Sequence, residues 1–142
     1  QPRVKVLFLS KEDANNKALQ TRFPGRVDVR WAKPHEVAGI LAACDHGLLV
    51  REDTVTNQVA SPTKFAEYLA AGMPVIISER IGDFSGMVRH HQLGIVIDPD
   101  QVIPRLERTD PAKAARSQRF AKDHLTKVSF DAAYKRLLKA LE

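Results

Sequence analysis

Short apolar runs rich in branched residues alternate along the chain with longer stretches whose apolar positions recur at helical spacing. Strands covered on both faces read as continuous apolar runs, whereas helices show a one-sided stripe, so the alternation predicts strand and helix units around a parallel sheet. The first strand is predicted at Val4 to Leu9, followed by a helix from Lys11 to about Arg22 that Ser10 can cap and Pro24-Gly25 ends. A second strand, Arg26 to Trp31, precedes a helix opening near Pro34, with Val37, Ile40 and Leu41 as its apolar stripe. Gly47 to Val50 makes a third strand, and the polar segment Arg51 to Ala60 reads as a loop without pattern. A helix from Pro62 to Ala71 leads through Gly72 and Pro74 into a fourth strand, Val75 to Ser78. A helix of about Asp83 to His90 and a fifth strand, Gly94 to Ile97, follow. From Pro99 onward the pattern is helical, over Gln101 to Arg108, Pro111 to about Leu125, and Phe130 to Leu141. In the last of these, Phe130, Tyr134, Leu137, Leu138 and Leu141 share one face that has to be buried against the sheet or a neighbour. The expected fold is α/β, a Rossmann-like parallel sheet of about five strands flanked by helices.

With 142 residues, 44% of them hydrophobic, the chain is long enough for one compact core and too short for two, so residues 1–142 are expected to form a single domain. No apolar run approaches the roughly 20 residues of a membrane span. Gln1 opens neither with an initiator methionine nor with a signal pattern, so the chain is expected to be cut from a longer protein. A single cysteine, Cys44, leaves no intrachain disulfide and fits a reducing cytoplasm. The net charge of +5 resides in the tail: residues 1–103 carry 12 basic and 12 acidic side chains, residues 104–142 carry 10 and 5. Such a tail can attract an anionic membrane surface at the inner face of a membrane. A solvated face is the stronger reading, because these charges alternate with acids and apolar residues, and nucleic acid is not expected as a partner, because no base-stacking aromatics are interleaved with them.

The segment from Ser61 to Ser78 concentrates the chemistry. Ser61 can accept from first-turn amides and Pro62 suits a position without an intrahelical partner, so Thr63 and Lys64 would present their amides at a positively polarised helix end. That arrangement suits a phosphate when it follows the carboxyl end of a parallel strand, and Lys64 adds a full charge. Glu67 lies one turn on, where its carboxylate can accept from the diol of a ribose. Taken alone, the same spacing is more commonly only a capped helix with a surface ion pair. Arg51, ending the third strand, offers a guanidinium that matches a phosphate fork, or a solvated partner for Glu52 or Asp53. Gly82 allows close backbone approach to a sugar, and Asp83 can cap the next helix.

The run SPTKFAEYLAAGMPVI resembles the donor-site helix of the glycosyltransferase group 1 family, retaining enzymes built from two Rossmann-like domains (the GT-B fold). Glu67 to Gly72, then Met73, Pro74 and Val75, match that family's glutamate, small and apolar residues, Gly-x-Pro and branched strand. The Pro62-Thr63-Lys64-Phe65 lead and the Arg51 to Asn57 loop resemble a branch found in surface-polysaccharide and capsule biosynthesis. Phe120-Ala121-Lys122-Asp123-His124 and the helix after it resemble the family's closing helices. The resemblance implies the donor-binding C-terminal half of such an enzyme, with a nucleoside-diphosphate sugar as substrate and no cofactor. It implies that Glu67 binds the ribose hydroxyls, that the amides of Ser61, Thr63 and Lys64 meet the diphosphate or sugar, and that the turn Trp31, Ala32, Lys33 meets the base. An N-terminal acceptor domain would supply the acid-base chemistry, leaving the catalytic residues unassigned. This sequence departs from the pattern twice. Val59 stands where a first glutamate contacts the sugar, leaving Glu52, Asp53 or Asn57 to replace it. The family's cationic pair lies on a strand and helix preceding the unit that begins at Val4, so either the chain starts inside the domain or Arg51 and Lys64 take the phosphate role.

His46, His90 and His91 lack metal-ligand spacing, and no metal is assigned. His35 reads as a cap or surface residue. No Gly-x-Gly-x-x-Gly or Gly-Lys-Ser/Thr loop is present, which argues against dehydrogenases and P-loop enzymes. A receiver-like signalling domain fits poorly, since the acids Glu12 and Asp13 start a helix and Lys64 does not follow a strand. Glycosyl transfer in the full-length protein is the leading expectation, and a non-catalytic nucleotide-binding or docking module of the same fold is the alternative.

Overall fold

A computed structural model describes residues 4–98, 100 and 104–139. Strands β1 (Val6–Leu9), β2 (Val27–Arg30), β3 (Gly47–Leu49), β4 (Val75–Ser78) and β5 (Gly94–Ile97) alternate with helices α1 (Ala14–Arg22), α2 (Pro34–Ala42), α3 (Val55–Gln58), α4 (Thr63–Ala70) and α5 (Phe84–His91). Two further helices, α6 (Pro111–His124) and α7 (Asp131–Lys139), flank a 3-10 turn at Val128–Phe130. All pairing is parallel, as expected of strands linked through helices. The ladders form two sheets rather than one: β1 with β2, and β3-β4-β5 with β4 central. Patterning predicts that a strand exists, but not which edge it joins, and β1 takes no partner but β2 among the described residues.

The core lies between the three-stranded sheet and its helices. Every residue of β4 is buried, and Val75, Ile77, Phe65, Leu69, Ile81 and Val88 are fully enclosed, with Phe120 of α6 closing the cluster. By contrast β1, with the apolar sequence VLFL, is only half-buried throughout. At the end of α4, Gly72 adopts φ +84 and the Met73 amide donates to Tyr68 O at 2.9 Å, a left-handed stop that turns the chain into β4. The Gly-x-Pro of the sequence thus forms the turn between α4 and the central strand.

Several local expectations change. The first helix begins at Ala14, and Asp13 rather than Ser10 caps it, accepting from the Asn15 and Asn16 amides while Asn16 Oδ1 accepts from Asp13 N. Ser10 instead donates to Lys11 O and accepts from the Asn16 side-chain Nδ2 at 3.3 Å, so it meets the helix through a side chain rather than through first-turn amides. The 51–60 loop contains α3, which Thr54 starts by accepting from Asn57 N. Residues 104–108 are irregular where a helix is expected, and Gln101 to Ile103 lie outside the described residues. Leu106 and Glu107 run past β3 instead, where His46 Nε2 meets Glu107 O at 2.8 Å and Thr109 bonds Asp45. The apolar face expected to be buried on the last helix leaves Tyr134 and Leu138 exposed; the Leu137 side chain and Leu141 lie outside the described part. No helix among the described residues is long and apolar enough to cross a membrane.

Candidate functional site

The loops leaving β3 and β4 converge where α4 begins, at the carboxyl ends of the strands, the side on which open α/β sheets hold ligands. Asn57 joins them. Its carbonyl accepts from Gly82 N at 3.2 Å and Ala60 N at 3.3 Å, its Nδ2 donates to Glu52 O at 2.9 Å, and its Oδ1 accepts from Arg51 Nη1 at 3.2 Å. Gly82 has φ +46, and a Cβ there would stand 2.6 Å from Ala60 O, so the two loops approach as closely as backbone allows. Phe84 sets its ring 4.5 Å from Phe65 in the first turn of α4, tying α5 to the same end.

Ser78, almost wholly buried, anchors Arg51 from β4. Its hydroxyl accepts from Arg51 N and donates to Arg51 O, both at 2.9 Å. Its carbonyl accepts from Ser85 Oγ, which in turn accepts from Ile81 N, each at 3.1 Å. Arg51 is therefore fixed by its backbone while its guanidinium remains exposed.

Pro62, not Ser61, occupies the N-cap of α4, and no side chain caps that helix. A proline ring fixes the entry geometry but offers no acceptor, so the Ser61 cap is not made. Phe65 N finds Pro62 O at 3.0 Å, whereas the amides of Thr63 and Lys64 have no acceptor among the described residues. These two donors sit at the positive end of the helix. Lys64 Nζ reaches Glu67 Oε2 at 2.6 Å, so the two candidate ligand groups pair on the exposed surface. Glu67 also lines a cleft of about 450 Å³ between α4 and α6. Val59, 78% exposed, brings no carboxylate to this end.

Two participants escaped the sequence pattern. Arg80, a non-glycine residue at φ +55, directs Nη1 to Asp53 Oδ2 at 2.7 Å, adding a second guanidinium to the 51–60 loop. The hydrogen bond from Gln58 Nε2 and the Arg80 charge together hold the Asp53 carboxyl below its usual range, against some desolvation. The signal for Arg80 was available, since it follows β4 by two residues, as Arg51 follows β3. Ser78 carried no signal beyond being a polar residue ending a buried strand.

The structure thus brings Arg51, Asn57 and Gly82 together by hydrogen bonds and runs on through Ser61 into Thr63, Lys64 and Glu67. Trp31, Ala32 and Lys33 stand apart at the end of β2. Trp31 is 58% exposed, and Lys33 N donates to Glu36 Oε2 at 2.7 Å to open α2. Among the described residues no hydrogen bond links these three to the Asn57 cluster. Asp83 precedes α5 without a side-chain cap bond, because its own φ −83 and ψ −5 already continue the helical turn. Among the described residues no group of three or more His, Cys, Asp or Glu could hold a metal ion.

No curated protein and no solved structure matches the chain. One family model does, described as glucosyltransferase 3-like, C-terminal domain, over residues 5–140. That span takes in all five strands and every residue of the converging loops, so the chain belongs to the glucosyltransferase 3-like C-terminal domain family and is a glycosyltransferase domain.

Proposed function

We propose that this domain binds a nucleoside-diphosphate sugar at the start of α4 and that the full-length protein transfers the sugar to an acceptor held by another domain. The observation that carries the reading is the uncapped α4 terminus, whose two open amides lie beside loops bearing Arg51 and Arg80. Open helix-end amides and guanidinium groups stabilise a departing diphosphate without proton transfer. Glu67, released from Lys64, accepts from the ribose diol, and Lys64 then turns to phosphate. Gly82 and Asn57 border the sugar. Trp31 to Lys33 takes the base only if the β1-β2 unit approaches the α4 terminus in the complete enzyme. The resemblance noted above extends the proposal to a retaining, GT-B-type hexosyltransferase of surface-polysaccharide assembly. Its acid-base groups lie in the acceptor domain, so the isolated chain binds donor without turnover.

Calorimetry with uridine, guanosine and adenosine diphosphates tests this. Binding of one of them, weakened by Glu67→Ala, is expected; silence toward all three overturns it. The exposed Val59, in place of a carboxylate, favours one rival, a nucleotide-binding module without catalysis. Donor hydrolysis or transfer by the full-length protein, abolished by Glu67→Ala, removes that rival.

A further inference from the structure

Trp31, Ala32 and Lys33 stand apart from the start of α4, whereas the cleft of about 450 Å³ between α4 and α6 opens directly beside Glu67. Both of its walls belong to this domain. α4 and α6 pack on each other, and a Cβ at Gly72, just past α4, would meet Gln118 Nε2 at 3.2 Å and Ala114 Cβ at 3.4 Å. α6 therefore runs back along α4 and brings Leu125 and Thr126 toward the helix start. Ala66 and Ala70 face Ala121 and Leu125 across the cleft, so both sides are apolar. At the rim, Thr126 Oγ1 is committed to Lys122 O at 3.2 Å and Ser129 N at 3.3 Å, while the Gln118 side-chain amide takes no hydrogen bond among the described residues.

We propose that this cleft receives the nucleobase of the donor, an inference that rests on the reading in which Glu67 holds the ribose. Lys64 and Ala70 lie three residues before and after Glu67, which places them about 60° to either side of it around the helix. With phosphate drawn to the open amides and the Lys64 side, the base leaves the ribose on the other side, over Ala66 and Ala70. The base is the part of a nucleotide most in need of apolar cover, and small alanine side chains leave room for a flat ring between the helices. The cleft is of the size that ligand pockets have. Gln118 offers a donor and an acceptor side by side, as the hydrogen-bonding edge of a base requires, and so distinguishes one base from another. The cleft on the α5 side of α6, lined by His91 and Arg119, includes no residue of the α4 terminus.

Calorimetry on the 142-residue chain and on the full-length protein compares uridine, guanosine and adenosine diphosphates with ribose 5-phosphate, which has a diol and a phosphate but no base. Ala70→Leu, which fills the cleft from an exposed position, is expected to weaken the best-bound diphosphate roughly tenfold and to leave ribose 5-phosphate unchanged. Gln118→Ala is expected to narrow the differences in affinity among the three bases. Both positions are exposed, so an unchanged urea midpoint certifies that the variants fold. Nucleotide binding that Glu67→Ala weakens and Ala70→Leu does not overturns this proposal and spares the donor reading; silence toward all four ligands overturns both. A loss that follows Trp31→Ala instead puts the base at the end of β2 and overturns it too. The rest of the protein is the competing occupant, and labelling decides against or for it. In the full-length protein, Ala70→Cys is expected to react with a maleimide, read at that peptide, and to be shielded by the nucleoside diphosphate but not by ribose 5-phosphate. If Ala70→Cys is closed to the reagent without nucleotide, another segment fills the cleft and the proposal is overturned.

Discussion

Lys64 Nζ lies 2.6 Å from Glu67 Oε2 across one turn of α4, at the same helix end where the Thr63 and Lys64 amides have no acceptor among the described residues. As a stabilising contact the pair counts for little, since exposed ion pairs one turn apart contribute about 0.2–0.5 kcal/mol. Its consequence is for the ligand. A diol has to take the carboxylate from Lys64, and a phosphate has to take the ammonium from Glu67. Glu67→Ala is expected to leave the unfolding free energy within about 0.5 kcal/mol of the parent. It should weaken nucleotide binding roughly ten- to hundredfold, the size of one or two hydrogen bonds to a charged group. Paired urea unfolding and calorimetry separate the two effects. A loss of stability as large as the loss of binding would make the pair structural.

Gly82 tests the junction of the two loops. Alanine there carries a side chain at φ +46 and a Cβ 2.6 Å from Ala60 O, so either the backbone strains or the loops part. Gly82→Ala is expected to cost about 1–3 kcal/mol. If the loops part, the Gly82 to Asn57 hydrogen bond is lost and Arg51 loses its orientation, so nucleotide affinity falls too. Gly86→Ala is the control: it sits in α5 with nothing within 4 Å of its Cβ. That change is expected to be neutral or to stabilise by about 0.5–1 kcal/mol, because alanine is the better helix former. Equal loss in both variants would show that the junction has no special role.

Phe65 links site and core. It is fully buried in the first turn of α4 and packs on Phe84 at the first turn of α5. Phe65→Ala is expected to destabilise by about 3–5 kcal/mol through lost burial and the cavity left behind. Phe65→Leu, closer in volume, should cost less than half of that. Denaturant midpoints at constant slope provide the measure. A cost below about 1 kcal/mol for the alanine would mean that this end of the core collapses freely.

The strands and α4 were legible because their signals are local. Val75 to Ser78 is a branched run too short for a helix, and Gly72 followed by Pro74 can only stop one. The family resemblance was legible from the same segment, and the match over residues 5–140 supports its coarse part. What sequence did not reveal depends on partners distant along the chain. Ser78 clamps Arg51 from 27 residues away, as Arg80 pairs with Asp53 across the same separation. The Ser61 cap failed because a cap needs a particular backbone turn before the helix, and Pro62 takes that position. The split into two sheets was likewise invisible, because β1 (VLFL) is by sequence at least as apolar as β4 (VIIS) yet is only half-buried where β4 is buried throughout.

The far end of α5 carries a pH dependence that does not involve the α4 terminus. The His91 ring lies 4.7 Å from the Phe120 ring, 4.6 Å from His90 and 5.9 Å from His124. Desolvation, followed by the charges of His90 and His124, lowers the His91 pKa from its ordinary 6.5. The unfolded chain therefore binds a proton at this position more readily than the folded one. Stability rises with pH wherever the unfolded state holds more protons, so this contribution is complete above about pH 6.5 and is lost as pH falls from there toward the folded pKa. The urea midpoint is expected to fall on acidification from about pH 7 to about pH 5, while carboxylates remain largely charged. His91→Gln removes the titrating group and should flatten that slope, whereas His35→Gln, at the distant start of α2, should leave it unchanged. A slope that survives His91→Gln would move the pH dependence to another group and refute the assignment.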